Sequence, residues 1–179
     1  MKKGAYKAMT SIAVIGSRNP TKSSIKAVRL WLDKYMELNG DSPVTIVTGG
    51  AFGMDTEAMK YAVTRKLKLK VFRPANYHNS RLCDDLKNNP LCDIIQTEVG
   101  YLQRNTMVIE SSDVVVSSDY GNGTIDSMEK ALARGLKVYV IGEYISSAKF
   151  KRALPASNIT IIDKNKVLEG DFSSVPKAE

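Results

Sequence analysis

The chain has 179 residues, 43% of them hydrophobic and 25% charged, which excludes disordered and collagen-like classes and fits one globular domain. No apolar run reaches the length of about 18 residues that a membrane helix needs, and the first residues lack the apolar core of a signal peptide. We therefore expect a cytoplasmic protein that contacts no membrane. The net charge of +7 favours an anionic partner, either a phosphorylated small molecule or a nucleic acid.

The first predicted unit is a strand followed by a turn and a helix. Residues 11–16 form a short apolar run rich in β-branched side chains, and apolar residues recur at helical spacing over 21–38. Gly16, Ser17 and Arg18 join the two elements, so backbone amides, a hydroxyl and a guanidinium meet where a helix start favours an anion. We therefore predict that these three residues bind phosphate.

The second predicted unit repeats the first. A strand at 44–48 runs into the glycine-rich loop TGGAFGMD, and helical spacing follows. Glycine allows positive φ angles and a close approach of backbone to ligand, so the loop is either a ligand site or only a tight turn. An aspartate near a helix start either contacts the ligand or caps the helix. The candidate ligand residues here are Gly49, Gly50, Gly53 and Asp55.

Later elements complete the alternation. Strands are predicted at 69–72, 114–116 and 137–141, and helices at 100–111 and 125–134. Glycines before the second of these helices make its N-terminus a phosphate cradle. An arginine and an asparagine on the first helix either reach across the strand ends to an anion or lie on the surface. These candidates are Gly121, Asn122, Gly123, Thr124, Arg104 and Asn105.

Two regions fit the alternation of strands and helices less well, and the first of them has no clear period. Residues 74–99 hold the single histidine and both cysteines, and so long a connection is either a lid over the strand ends or an ordinary decorated crossover. Cys83 and Cys92 lack CxxC spacing, so we predict two thiols and no metal site, with a loop disulfide as the alternative. No cofactor is predicted either. Further along the chain, a short helix at 146–153 and a strand at 158–162 are expected.

Strands that alternate with helices, and that are apolar throughout, predict a parallel sheet covered on both faces. We expect an α/β fold, a single Rossmann-like doubly wound parallel sheet with helices on both faces, formed by residues 11–165. Residues 1–10 are expected to be a flexible arm and residues 166–179 a loose tail. Ligands bind beyond the carboxyl ends of the strands in such sheets, so the glycine-rich loops should converge on one crevice. The sequence has neither the GxGxxG fingerprint nor a Walker loop.

Five motifs in this order resemble the SLOG superfamily. Its members include the DNA-processing protein DprA (Smf), the Lonely guy (LOG) phosphoribohydrolases, and the small uncharacterised bacterial and phage proteins that this chain resembles most. The resemblance implies a nucleotide-binding domain of Rossmann type, and it suggests a homodimer because relatives commonly pair through helices of this sheet. The motifs are IAVIGSR at 12–18, IVTGGAFGMDTEAMKYA at 46–62, RNTM at 104–107, SDVVV at 112–116 and GNGTIDSMEKALARGLKVYVIG at 121–142.

The resemblance to LOG enzymes also bears on catalysis. In those enzymes an arginine and the glutamate of the motif PGGxGTxxE serve the cleavage of a nucleotide's N-glycosidic bond. Arg104 matches the arginine, but Ser127 stands at the glutamate position. Asp126 lies one position early and Glu129 two positions late, so the catalytic candidates of a hydrolase would be Arg104, Asp126 and Glu129.

The function predicted from these residues is the binding of a nucleotide, or of a nucleotide-derived phosphate ligand, by a sensor or regulatory module. Two alternatives remain open. One is a LOG-like N-glycosidase that acts on nucleoside monophosphates. The other is DprA-like binding of single-stranded DNA, which agrees with the basic net charge although no pattern of interleaved aromatic and basic residues stands out.

Overall fold

Seven parallel strands form one sheet in the computed structural model, which describes residues 9–40, 42–75, 80–119, 121–142 and 158–177. In chain order they are β1 Thr10–Gly16, β2 Val44–Thr48, β3 Lys68–Arg73, β4 Cys92–Gln96, β5 Val114–Ser118, β6 Lys137–Gly142 and β7 Ile159–Asp163. Their order across the sheet is β4-β3-β2-β1-β5-β6-β7, and every pair of neighbours is parallel.

Six helices accompany these strands within the described part of the chain. They are α1 Lys22–Asn39, α2 Met54–Thr64, α3 Leu82–Asp85, α4 Tyr101–Glu110, α5 Asn122–Ala133 and α6 Lys164–Leu168. Thr21 caps α1, because its side-chain Oγ1 accepts a hydrogen bond of 3.1 Å from the amide of Ser24. None of the described helices is long and apolar enough to pass through a membrane.

The helices cover both faces of the sheet, which confirms the predicted doubly wound α/β fold. On β1, Ile12 and Val14 point to the face that α1, α2 and α6 cover, where Trp31 is fully buried. Ala13 and Ile15 alternate with them and point to the face that α4 and α5 cover. Each face therefore carries its own apolar layer, as strands that are apolar throughout predict.

The chain reverses its direction across the sheet next to β1. From β1 it passes to β2, β3 and β4 on one side, and it then returns through α4 to β5 on the other side of β1. β1 and β5 run side by side to their ends, where Gly16 is paired with Ser118. In open α/β sheets a crevice forms beyond the carboxyl ends of two strands at such a point, and ligands bind there.

The region without a clear period, 74–99, contributes α3 and the edge strand β4. Residues 92–96 pair with β3 along their whole length, but each of them is exposed or only partly buried. The sequence did not predict this strand because a half-covered edge strand lacks a continuous apolar run. The region is thus a crossover that completes the sheet, and both of its cysteines are free thiols. Residues 76–79, which include the histidine, and the helix predicted at 146–153 lie outside the described residues.

The predicted domain, 11–165, is too short at both of its ends. Thr10 already belongs to β1 and not to the N-terminal arm, of which residues 1–8 lie outside the described part. The C-terminal segment was predicted to be loose, but it packs on α1. Val175 is buried, and Nε1 of Trp31 donates a hydrogen bond of 3.2 Å to Oγ of Ser174. So short a segment has no periodicity from which its packing against a tryptophan could be predicted.

Candidate ligand-binding site

A cavity of about 410 Å³ opens beyond the carboxyl ends of β1 and β2, between the starts of α4 and α5. It lies at the point where the chain reverses its direction across the sheet. The loops therefore converge on one crevice, as the sequence predicts, although Gly50 and Gly53 do not line it. The predicted ligand residues that do line the cavity are Gly16, Ser17, Arg18, Gly49, Asp55, Arg104, Asn105, Gly121, Asn122, Gly123 and Thr124.

Two glycines allow three backbone segments to meet at the exit of β1. A Cβ atom on Gly16 would overlap the carbonyl oxygen of Ser118 and lie 2.9 Å from Cβ of Met54. Gly53 has a φ of +82°, and a Cβ atom there would overlap the backbone of Ser17. The amide of Met54 donates a hydrogen bond of 3.0 Å to the carbonyl oxygen of Ser17. The start of α2 is thus held against the end of β1, which fixes the wall of the cavity.

Gly50 has a structural role behind the cavity. Its φ is +70°, and its carbonyl oxygen accepts a hydrogen bond of 3.0 Å from the amide of Ser80. A Cβ atom on Gly50 would lie 2.8 Å from Cγ1 of Val71 and 3.0 Å from Sγ of Cys83. This glycine therefore makes the turn after β2 possible, and its neighbour Gly49 is the residue that faces the cavity.

Arg104 and Asp55 form a buried ion pair beside the cavity. They are 6% and 8% exposed, and Nη1 of Arg104 lies 3.8 Å from Oδ2 of Asp55. The same Nη1 donates to the carbonyl oxygen of Gly49 and, at 3.3 Å, to that of Phe72. Oδ2 of Asp55 also accepts a hydrogen bond of 3.2 Å from the amide of Ala51. The pair therefore ties α4 to the turn between β2 and α2.

The lining side chains give the cavity an excess of positive charge. Burial raises the pKa of Asp55 and lowers that of Arg104, while the attraction between the two groups opposes both shifts. The positive charge of Arg18 acts on Arg104 in the same direction as burial and lowers its pKa further. Arg18 is exposed and forms no ion pair within the described ranges. Among the described residues, two guanidinium groups and one carboxylate thus line the cavity, which favours an anionic ligand.

The N-terminus of α5 opens onto this cavity. The sequence predicts that this helix begins at residue 125, but α5 begins at Asn122 and Gly121 is its N-cap. Gly121 has no side chain that could accept a hydrogen bond from the amides of the first turn, and that turn holds no acidic residue. The positive end of the helix dipole is therefore not neutralised by the helix itself.

The two catalytic candidates on α5, Asp126 and Glu129, do not line the cavity. Oδ2 of Asp126 accepts hydrogen bonds from Nζ of Lys130 at 2.8 Å and from Nδ2 of Asn105 at 3.2 Å. Glu129 is exposed, and neither carboxylate lines the cavity. Ser127 does line it and is 4% exposed. The side chain at this position is therefore a hydroxyl, which donates a hydrogen bond of 3.1 Å to the carbonyl oxygen of Gly123.

Two aromatic side chains that were not predicted also line the cavity. Phe52 lies in the glycine-rich loop after β2 and is 50% exposed. Tyr101 is the first residue of α4, and its Cε2 would lie 3.7 Å from a Cβ atom on Gly123, so its ring stands beside the start of α5. The only sequence feature that could have indicated Phe52 is the presence of an aromatic residue within a glycine-rich turn.

The chain is similar in sequence to the family of DNA recombination-mediator protein A over residues 2–75. No curated protein matches the chain in sequence.

Several solved structures share the fold. The molybdenum cofactor binding protein from the phototrophic bacterium Rippkaea orientalis is 22% identical, with a TM-score of 0.67, over 94% of this chain and 98% of that one. DNA processing protein A (DprA) from Streptococcus pneumoniae is 18% identical, with a TM-score of 0.66, over 92% of this chain and 62% of that one. DprA from Helicobacter pylori, whose structure concerns its binding of single-stranded DNA, is 20% identical, with a TM-score of 0.63, over 93% of this chain and 82% of that one.

Proposed function

We propose that the cavity binds a nucleotide or a nucleotide-derived phosphate ligand. The chain is DprA-like in sequence over residues 2–75 and SLOG-type in fold, and both likenesses agree with such a ligand. The observation that carries the proposal is the start of α5, which lacks a side-chain cap and opens into a cavity with two guanidinium groups and one carboxylate. Backbone amides at a helix N-terminus bind phosphate, and arginine forms charge-assisted hydrogen bonds with it.

The size of the cavity agrees with a small ligand. Its volume of about 410 Å³ falls within the range of roughly 300–1,000 Å³ that is usual for small-molecule sites. A protein of the same fold is described as binding the molybdenum cofactor, which is a small molecule, and the present fold spans almost all of that protein. These observations support a whole small ligand held at the crevice.

The proposed role is binding without cleavage, as a sensor or regulatory module. An oxocarbenium-like ribosyl centre requires an ionised carboxylate nearby. Ser127 offers only a hydroxyl, and burial raises the pKa of Asp55, whose carboxylate lines the cavity and pairs with Arg104. Asp126 is directed to Lys130 and Asn105 instead. The described lining side chains therefore support the binding of phosphate, and their one carboxylate, that of Asp55, is already paired with Arg104.

Replacing Arg18 by alanine is expected to weaken the binding of a nucleoside monophosphate by about tenfold to 100-fold, because a charge-assisted hydrogen bond is lost. The measurement is isothermal titration calorimetry against adenosine, guanosine, cytidine and uridine monophosphates. Arg18 is exposed and forms no ion pair in the described part of the chain, so the melting temperature should stay unchanged.

Arg134→Ala is the matched control, since Arg134 follows the far end of α5 and contacts Glu110 at 3.4 Å on the surface. Its affinity should equal that of the wild-type protein. Absence of binding by every nucleotide at millimolar concentration would overturn the proposal, and so would an equal loss of affinity in the two variants.

Binding of single-stranded DNA is the second candidate, and the family match over residues 2–75 favours it. The net charge of +7 agrees with a polyanionic partner. A mobility-shift titration with an oligonucleotide at low and high salt tests it, because phosphate contacts release counterions and make affinity fall steeply with salt. Strand binding that a nucleoside monophosphate competes away would place the strand at this cavity, and absence of a shift at low salt would reject this candidate.

A further inference from the structure

Phe52 is an exposed aromatic side chain at the edge of the cavity. The large apolar side chains that are exposed in the described part of the chain are Met9, Phe52, Val63, Leu91, Leu102 and Ile161. Of these, Phe52 alone lines the cavity. Single exposed apolar residues are common on protein surfaces, so exposure by itself indicates nothing. Phe52 differs from the others because it lines the cavity and because hydrogen bonds hold the backbone on both sides of it.

The loop that carries Phe52 is fixed on both sides of it. The amide of Ala51 donates to Oδ2 of Asp55 at 3.2 Å, and Oγ1 of Thr56 donates to the carbonyl oxygen of Ala51 at 2.8 Å. Gly53 is held against the backbone of Ser17 in a conformation that other residues rarely adopt. Phe52 is therefore presented to the cavity by a backbone that is already ordered, so binding costs little loop entropy.

The start of α5 and Phe52 occupy different parts of the cavity. α5 begins just after the end of β5, and Phe52 lies in the loop just after the end of β2. In the sheet, β1 lies between these two strands. The start of α5 and Phe52 are therefore separated by about two strand spacings, or roughly 10 Å. A ribose unit bridges a gap of this kind between a phosphate and a planar ring.

We propose that Phe52 stacks on the base of a nucleoside monophosphate whose phosphate lies at the start of α5. This inference rests on the proposed function. It adds that the ligand is a nucleoside monophosphate and that Phe52 holds its base. An aromatic ring offers its face to any base, so this contact recognises the presence of a planar ring rather than a hydrogen-bonding pattern. Purines present the larger face and should bind more tightly than pyrimidines.

Calorimetric titration with adenosine monophosphate and with ribose 5-phosphate tests the stacking directly. In Phe52→Ala, the affinity for adenosine monophosphate should fall by about 5-fold to 150-fold, which is the range that loss of one base–aromatic stack produces. The affinity for ribose 5-phosphate, which has no base, should not change. Phe52→Trp should retain the affinity for adenosine monophosphate, and Phe52→Leu should lose most of it although the side chain remains apolar.

The possible results distinguish stacking on Phe52 from binding of phosphate at the start of α5. If Phe52→Ala lowers the affinity for both ligands equally, or for neither of them, Phe52 does not stack on the base. If the wild-type protein binds ribose 5-phosphate as tightly as adenosine monophosphate, the stacking is again wrong but the phosphate site stands. If the wild-type protein binds neither ligand, the proposed function itself fails. Because Phe52 is half exposed, all three variants should melt at the temperature of the wild-type protein.

Discussion

Replacing Arg104 by methionine is expected to lower the free energy of unfolding at neutral pH by about 3–5 kcal/mol, as loss of one partner of a buried ion pair typically does. The substitution leaves the carboxylate of Asp55, 8% exposed, without its counter-charge. It also removes the donor to the carbonyl oxygens of Gly49 and Phe72. Urea denaturation followed by circular dichroism measures the change.

A surface ion pair provides the control for Arg104. Arg29 contacts Glu57 at 2.9 Å with 44% of its side chain exposed, so Arg29→Met should cost less than about 1 kcal/mol. The loss in Arg104→Met should shrink as the pH falls toward 3.8, the ordinary pKa of aspartate, because burial raises the pKa of Asp55 and a protonated carboxyl carries no charge. A cost in Arg104→Met no larger than that of Arg29→Met would show that the pair does not stabilise the fold.

Replacing Ser127 by glutamate is expected to weaken the binding of a nucleoside monophosphate by about 100-fold or more, since like charges brought together in an interface cost several kcal/mol. Ser127 lines the cavity and follows the α5 turn that would hold the phosphate. The new carboxylate would stand in the lining of the cavity, beside the proposed phosphate site. Calorimetry measures the affinity.

Ser127→Gln separates charge from size, because glutamine has the length of glutamate without its charge. It should bind the nucleotide more tightly than Ser127→Glu, and because residue 127 is buried, the melting temperature of each variant is measured to show that it is folded. Equal affinities in the two variants would mean that the ligand's charge does not lie near this position. Chromatography of the same mixtures tests for catalysis, and release of free base by the wild-type protein would contradict a role in binding alone.

The sequence predicts the central part of the fold because the strands there are apolar throughout. β1, β2 and β6 are buried on both faces, so their composition alone marks them as strands of a covered parallel sheet. β4 lies at the edge of the sheet and is half exposed, so it carries no such mark. The C-terminal segment is held by contacts such as that of Ser174 with Trp31, and residues so distant in sequence give no local pattern.

Some residues of the candidate site can likewise be predicted from the sequence, and others cannot. The glycines that follow β1 and β2, and those that begin α5, are visible in sequence because strand ends, glycines and helix starts are local features. The contact of Arg104 with Asp55 joins residues far apart in the chain, so no local spacing reveals it. The place of Phe52 in the cavity lining is set by how the loop after β2 packs in the fold, which is also a tertiary property.

The most direct test of a phosphate site at the start of α5 is a crystal structure of the protein with adenosine monophosphate. We expect the phosphate to accept hydrogen bonds from the amides at 123 and 124 and from Arg18, and the adenine ring to lie on Phe52. A ligand bound outside the cavity, or one whose phosphate lies away from α5, would show that the start of α5 is not a phosphate site.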